Sequence, residues 1–347
     1  LIVKNIYLEE VLITHKNLKN ITKIEVKKME TQKEQLYSPK KKITTIAMAF
    51  MTAAAIISLR GLPMMAAEEM TMFFYIAFAT IFFLIPAALI SAELGSTFAK
   101  QEGGIYRWVG TAFGKKIGFV AIWLQWIQNV VWYPTVLAFA AAAIAYGIGK
   151  PELADNGMFT GLFIILFYWV ATIIAFCGTK VLSKVTSFGF IIGTVFPGLI
   201  VILLGIIWLI SKKPLGFEEL TAAETSVATI VNGKILPRWI PDLSNLKNLS
   251  FLSGIILLFA GVEVQAVHAT EMENPKKQYP LAILISSLIV FILFTFGSLS
   301  IAAVVPNSQL KLESGLMQAL RTMLKSVNMN WTLPILFFCI AFGALAG

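Results

Sequence analysis

Long runs of apolar residues dominate the chain. Between charged residues, these runs cover 43–59, 70–92, 117–149, 156–179, 185–211, 278–310 and 326–347. An eighth run, 248–270, is interrupted only by Glu263, and the first continues past Arg60 to residue 67. A helix needs about 20 apolar residues to cross a bilayer, and the runs lack the short alternating segments of a membrane β-barrel. The pattern therefore predicts eight transmembrane spans in an all-α polytopic membrane protein.

Composition supports the same class of protein. The 347 residues are 57% hydrophobic and 14% charged, with a mean hydropathy of +0.78. A soluble domain usually carries about 25% charged residues, so part of this apolar surface needs lipid as its solvent. Cys177 and Cys339, the two cysteines, both lie in apolar runs. They predict neither a disulfide framework nor a metal cluster, and we expect no cofactor.

The net charge of +9 is better explained by topology than by nucleic acid binding. Ten of the 28 Lys and Arg residues precede Ile43. Placing them in the cytoplasm also puts the loops 93–116, 178–184 and 269–279 there, which agrees with the positive-inside rule. We therefore predict a disordered cytoplasmic tail over 1–42, a cytoplasmic N-terminus and no nucleic acid partner.

Two ionisable residues fall inside predicted spans. Arg60 stands beside Gly61 and Pro63 in the first span, and Glu263 follows Gly261 in the sixth. Charges within the bilayer are costly and are functional candidates, whereas glycine alone could serve close helix packing. Two interrupted helices, five spans apart and opposite in direction, are typical of inverted repeats with a binding site near the membrane midplane.

Interrupted helices also suggest what such a site binds. Unwound backbone N–H groups can hold a carboxylate, and unwound carbonyl groups can hold an ammonium group. An amino acid carries both groups. Arg60 could bind an acidic side chain or neutralise Glu263, and these two roles stay open. Glu263 is a candidate for carrying a proton, so protons are a possible coupling ion.

Two segments resemble the amino acid–polyamine–organocation permeases. Residues 261–280 read GVEVQAVHATEMENPKKQYP, similar to the G-V-E…E-x-x-N-P-x-x-x-Y-P signature of these permeases. Residues 102–109 read EGGIYRWV and resemble their loop between spans 2 and 3. Within the superfamily, Glu271 to Ala282 is most similar to the bacterial glutamate:γ-aminobutyrate antiporters.

The resemblance implies a LeuT-like inverted-repeat fold of about twelve spans, of which this chain would supply eight. The first five-helix repeat would be 43–211, an external loop 212–248, and part of the second repeat 249–347. By position, the predicted substrate-binding residues are Ser58, Leu59, Arg60, Gly61, Leu62, Phe259, Ala260, Gly261 and Val262. Glu263 corresponds to the glutamate of span 6. Asn129 lies in a W-I-x-N segment similar to one in arginine:agmatine relatives; interhelical hydrogen bonding is its alternative role.

Arg60 departs from the G-S-G-I pattern of many superfamily members. A fixed cation at that position favours anionic or neutral substrates over arginine and polyamines. We therefore predict a secondary amino acid transporter in a bacterial inner membrane, carrying glutamate, γ-aminobutyrate or related amino acids by exchange or proton coupling. The alternatives are a permease for other neutral or cationic amino acids or polyamines, a truncated product that does not transport, and an intramembrane enzyme using Glu263 and His268.

Overall fold

The computed structural model describes residues 43–346 apart from 99–102, 217–227, 232–233 and 242–245. The predicted cytoplasmic tail, 1–42, lies outside the described residues. The helices are α1 Thr45–Ile56, α2 Gly61–Ala66, α3 Thr71–Thr97, α4 Gly104–Phe113, α5 Lys115–Gly147, α6 Gly157–Phe176, α7 Val181–Ile210, α8 Leu246–Leu258, α9 Pro275–Ala302, α10 Gly315–Ser326 and α11 Leu333–Ala346. Short 3-10 helices cover Pro151–Asp155, Val264–Glu271, Asn307–Gln309 and Asn330–Thr332.

Five of these helices are long and apolar enough to cross a membrane: α3, α5, α6, α7 and α9. They correspond to predicted spans 2, 3, 4, 5 and 7, and they support a multi-pass membrane protein. In α6 the described side chains are exposed or half-buried apart from Phe163. Exposed apolar residues such as Leu162, Ile165 and Trp169 give this helix a surface suited to lipid.

Spans 1 and 6 are the interrupted ones, as the sequence predicts. In span 1, α1 ends at Ile56 and α2 begins at Gly61, which leaves a four-residue break, 57–60. In span 6, α8 ends at Leu258, and the break 259–263 leads into the 3-10 helix Val264–Glu271. We call these segments the first break and the second break.

The predicted loops contain structure that the charge-free runs do not reveal. The loop 93–116 contains α4, and the segment 311–325, between two of the apolar runs, contains most of α10. In the segment 212–248, β1 (Ala228–Val231) pairs antiparallel with β2 (Lys234–Pro237), with Ala228 opposite Pro237. Both α4 and α10 are amphipathic, with Arg107 in α4 and Arg321 and Lys325 in α10, so a search for long charge-free runs misses them.

Small residues bring the helices around the breaks close together. Ala140, Ala141 and Ala143 in α5 are fully buried, as are Ala49 and Ala53 in α1. α5 packs against α11, while α9 packs against α1, α2 and α3. Both halves of span 1 are therefore surrounded by long helices, and this packing fixes the position of the first break.

Candidate substrate site

A cavity of about 160 Å³ lies between the two breaks and α5. It is lined by Ala55, Ile56, Ser58, Arg60, Gln125, Gln128, Asn129, Trp132, Tyr133, Leu257, Leu258, Ala260, Gly261, Val264 and Gln265. This volume is below the roughly 300–1,000 Å³ of pockets that hold drug-sized ligands. The cavity is therefore of a size that suits a small solute.

The first break exposes backbone polar groups to this cavity. Within the described part of the chain, the N–H groups of Ser58, Leu59 and Arg60 donate no backbone hydrogen bond. The helix ladder resumes when the Gly61 N–H donates to the Ser58 carbonyl over 2.9 Å. Such unpaired donors at the start of a helix form an anion-binding site.

The second break faces the first at close range. Gly261 has φ of +119°, a conformation that favours glycine. A Cβ on this residue would lie 3.4 Å from the carbonyl oxygen of Ala55. In the portion that the structure covers, the N–H groups of residues 261–263 also donate no backbone hydrogen bond. The cavity is thus bordered on two sides by unpaired backbone groups.

Arg60 is the charged residue among the fifteen that line the cavity. Its Nε atom is buried and has no hydrogen-bond partner among the described residues. The acidic residue that acts on it electrostatically is Glu313, in the segment before α10. The ion pair with Glu263 that the sequence allowed is not formed in the described structure, whose ion pairs are His268–Glu271 and Lys311–Asp155. A buried donor without a partner is costly, so this guanidinium is suited to an anionic ligand.

The structure brings five of the predicted substrate-binding residues together. Those lining the cavity are Ser58, Arg60, Asn129, Ala260 and Gly261. The other five lie in packing contacts or beside a smaller cavity. Leu59 borders the smaller cavity, which has a volume of about 20 Å³. Gly61 contacts Leu258, and Leu62 packs on Gly297. The ring centroids of Phe259 and Phe294 are 5.2 Å apart, and Val262 is buried. Whether any of these residues binds substrate stays a prediction.

Several residues of the cavity were not singled out by the sequence. Gln125, Gln128 and Trp132 lie on α5 together with Asn129, which the sequence did predict. Counted from Gln125, the other three residues stand three, four and seven positions further along the helix. That spacing places them on one face of a helix. The signal that could have found them is this recurrence of amides within an otherwise apolar span. Gln265 adds another amide from beyond the second break.

Comparison with known proteins establishes the family. Residues 43–347 match the family model described as amino acid permease. The chain belongs to the amino acid permease family. This confirms the resemblance drawn from the span 6 signature and from residues 102–109.

The permease is similar to several bacterial proteins. It is 38% identical over 308 residues to an uncharacterized transporter of Legionella pneumophila, covering 89% of this chain and 62% of that relative. It is 27% identical over 307 residues to the glutamate/gamma-aminobutyrate antiporter of Lactococcus lactis subsp. cremoris, covering 88% and 58% respectively. It is 28% identical over 310 residues to the "Probable agmatine/putrescine antiporter" of Lactococcus lactis subsp. lactis, covering 89% and 60%. The chain spans about three fifths of the length of these curated relatives.

Glu263 and His268 do not line the cavity of this permease. The Nδ1 atom of His268 lies 2.9 Å from Oε1 of Glu271, one turn along the 3-10 helix. His268 is therefore engaged with Glu271 and not with Glu263. The described residues contain no group of three His, Cys, Asp or Glu side chains able to hold a metal ion.

Proposed function

We propose that this permease is an amino acid exchanger whose cavity binds glutamate or γ-aminobutyrate. The observation that carries the proposal is Arg60, with its buried Nε atom unpaired within the described residues and its side chain in a cavity between two broken helices. The exchange partner and the proton coupling belong to the same proposal.

The backbone groups account for the part of the substrate that all amino acids share. The unpaired N–H groups of residues 58–60 suit the α-carboxylate. Among the described residues, the carbonyl groups of Ala55 and Ile56 accept no hydrogen bond from a residue beyond α1. They suit an ammonium group, because carbonyl oxygens accept its hydrogen bonds.

Arg60 and the amides account for selectivity. A guanidinium binds a carboxylate through two parallel hydrogen bonds, which favours a second carboxylate on the substrate. Gln125, Gln128 and Gln265 can donate to or accept from an uncharged chain. The lining contains no Asp or Glu to pair with a second cation.

Movement between inward- and outward-facing states would depend on the two breaks. Discontinuous helices at the midplane let one half of each span tilt against the other, which is how many inverted-repeat carriers alternate access. The LeuT-like architecture and the cytoplasmic position of the N-terminus are part of this proposal.

A cationic substrate is the second candidate. It is favoured by the similarity to a protein named for agmatine and putrescine. Arg60 argues against it, since a fixed cation in a small cavity repels a diamine. The two candidates differ in the sign of the substrate charge, so one experiment separates them.

Counterflow in liposomes tests the proposal. Liposomes containing the purified full-length protein are loaded with glutamate, γ-aminobutyrate, arginine or agmatine, and uptake of labelled glutamate or labelled arginine is measured. We expect stimulation by internal glutamate and γ-aminobutyrate. Stimulation of labelled arginine uptake by internal agmatine would support the second candidate. No stimulation of glutamate uptake by any internal amino acid would overturn the substrate assignment.

Arg60→Gln tests the role of the cation. Losing a charge-assisted hydrogen bond costs about 1.5–3 kcal/mol, so we expect the KM for glutamate to rise about tenfold or more. The KM for γ-aminobutyrate, which has no second carboxylate, should change less. The matched control is Arg107→Gln, because Arg107 is exposed on α4. Equal loss for both substrates would favour a structural role for Arg60.

A further inference from the structure

Tyr279 is a fully buried residue near the start of α9, in the Y-P pair of the span 6 signature. It does not line the cavity. Its ring packs against Gly95 of α3 so closely that a methyl group at Gly95 would overlap it. The tyrosine therefore occupies a fixed place between α3 and α9, beside the second break.

The hydroxyl of Tyr279 belongs to a chain of buried hydrogen bonds. It lies 3.1 Å from Oγ of Ser91 in α3, and the Ser91 hydroxyl donates to the carbonyl of Val262 over 3.3 Å. Each hydroxyl has one proton. Because Ser91 gives its proton to Val262, Tyr279 is the donor to Ser91. The chain therefore runs from Tyr279 through Ser91 to the second break.

This chain reaches the second break at the Val262 carbonyl, which accepts no backbone hydrogen bond among the described residues. Val262 follows Gly261, which lines the cavity, and precedes Val264, which also lines it. In the part of the structure that is described, residues 261–263 donate no backbone hydrogen bond. The bond accepted by the Val262 carbonyl thus links the break to two long helices.

Tyr75 shows that burial alone does not produce such a bond. It is also fully buried, in α3, yet its hydroxyl has no hydrogen-bond partner among the described residues. The two tyrosines are equally buried, but only the hydroxyl of Tyr279 has a hydrogen-bond partner among the described residues. This makes Tyr75 a matched control.

We propose that Tyr279 is a positioning residue for the substrate, acting through Ser91 on the Val262 carbonyl. The proposal rests on the proposed function, because it gives Tyr279 an indirect role in the shape of the same cavity. Holding Val262 sets the orientation of Gly261 and Val264 toward the ligand. Removing the Tyr279 hydroxyl loosens the second break while the ring still fills its space.

Exchange kinetics test the proposal with Tyr279→Phe, Ser91→Ala, their double variant and Tyr75→Phe. A neutral hydrogen bond is worth about 0.5–1.5 kcal/mol, so we expect either of the first two to raise the KM for glutamate about three- to tenfold. Since the two residues act in one chain, the double variant should resemble the single variants, without multiplying their effects. Tyr75→Phe should leave KM within about twofold of the wild type. A wild-type KM in Tyr279→Phe, or effects that multiply, would overturn the proposal.

Hydrogen–deuterium exchange of the backbone provides a readout that does not depend on transport. We expect faster exchange over residues 259–264 in Tyr279→Phe and unchanged exchange there in Tyr75→Phe. If the wild type does not transport glutamate, the proposed function fails. Hydrogen–deuterium exchange then decides by itself whether Tyr279 stabilises the second break. Equal protection of residues 259–264 in both variants would refute the positioning role.

Discussion

The two breaks occupy equivalent places beside one cavity but differ in how they use charge. The first break points its cation, Arg60, into the cavity, and the Nε atom there has no partner among the described residues. The second break keeps its anion, Glu263, out of the cavity lining and is held by a buried hydrogen bond to Val262. The contrast suggests that the first break serves mainly to bind a ligand and the second to hold a particular backbone shape.

The largest expected effect comes from adding one methyl group at Gly261, in the second break. Gly261→Ala places a Cβ at φ +119°, a conformation that costs about 1–3 kcal/mol for a residue other than glycine. It also brings that Cβ to 3.4 Å from the Ala55 carbonyl. We expect exchange to fall about tenfold or more in counterflow.

Gly61→Ala is the matched change directly after the first break, at the first residue of α2. Its φ is not in the left-handed region, and the new Cβ would meet the flexible end of Leu258 at 2.9 Å. We expect a smaller loss than for Gly261→Ala. Equal losses would contradict the view that backbone shape matters more at the second break.

Glu263→Gln tests whether Glu263, the anion of the second break, contributes to substrate selectivity. Because Glu263 does not line the cavity, we expect the ratio of KM values for glutamate and γ-aminobutyrate to change less than about twofold. If Glu263 carries the proton, glutamate exchange by Glu263→Gln should no longer be coupled to proton movement. A shift of the KM ratio comparable to that of Arg60→Gln would show that both breaks set selectivity.

The sequence was a good guide to the breaks and a poor guide to the cavity wall. Charges and glycines within apolar runs marked residues 60 and 263, because such residues are costly in a bilayer. Side-chain direction was not predictable at the breaks themselves, where the helical period is lost. Leu59 and Arg60 are adjacent, yet they border different cavities.

Asn129→Ala tests the side of the cavity formed by α5, where the sequence predicted Asn129 but not the two glutamines. Asn129 lines the cavity on the α5 face, with Gln125 and Gln128. If it contacts the substrate, the KM for both amino acids should rise about two- to fivefold, with thermal stability unchanged. A lower melting temperature with an unchanged KM would favour the alternative role, an interhelical hydrogen bond.

The smallest effect is expected at Glu68, in the turn after α2. Burial raises the pKa of this carboxyl group, and a 2.9 Å hydrogen bond from Thr71 opposes the rise. The folded state therefore favours the neutral acid, so ionisation lowers stability as pH rises above the ordinary value of about 4.3. An amide avoids this cost. Glu68→Gln should raise the melting temperature by about 1–3 °C at pH 7, with the difference vanishing toward pH 4.

The control for Glu68→Gln is Glu152→Gln, since Glu152 is exposed in the 3-10 helix Pro151–Asp155 and its replacement should leave the melting temperature unchanged. Thermal unfolding in detergent at both pH values checks the pair. Glu68 differs from Arg60 in an instructive way, although the two residues flank the same short helix, α2. Arg60 has its buried Nε atom unpaired within the described residues, whereas Glu68 has the Thr71 hydroxyl as a partner. Neutralising Glu68 should therefore change stability with little effect on substrate preference, and a shift in the glutamate to γ-aminobutyrate ratio would extend the ligand-binding region to the end of α2.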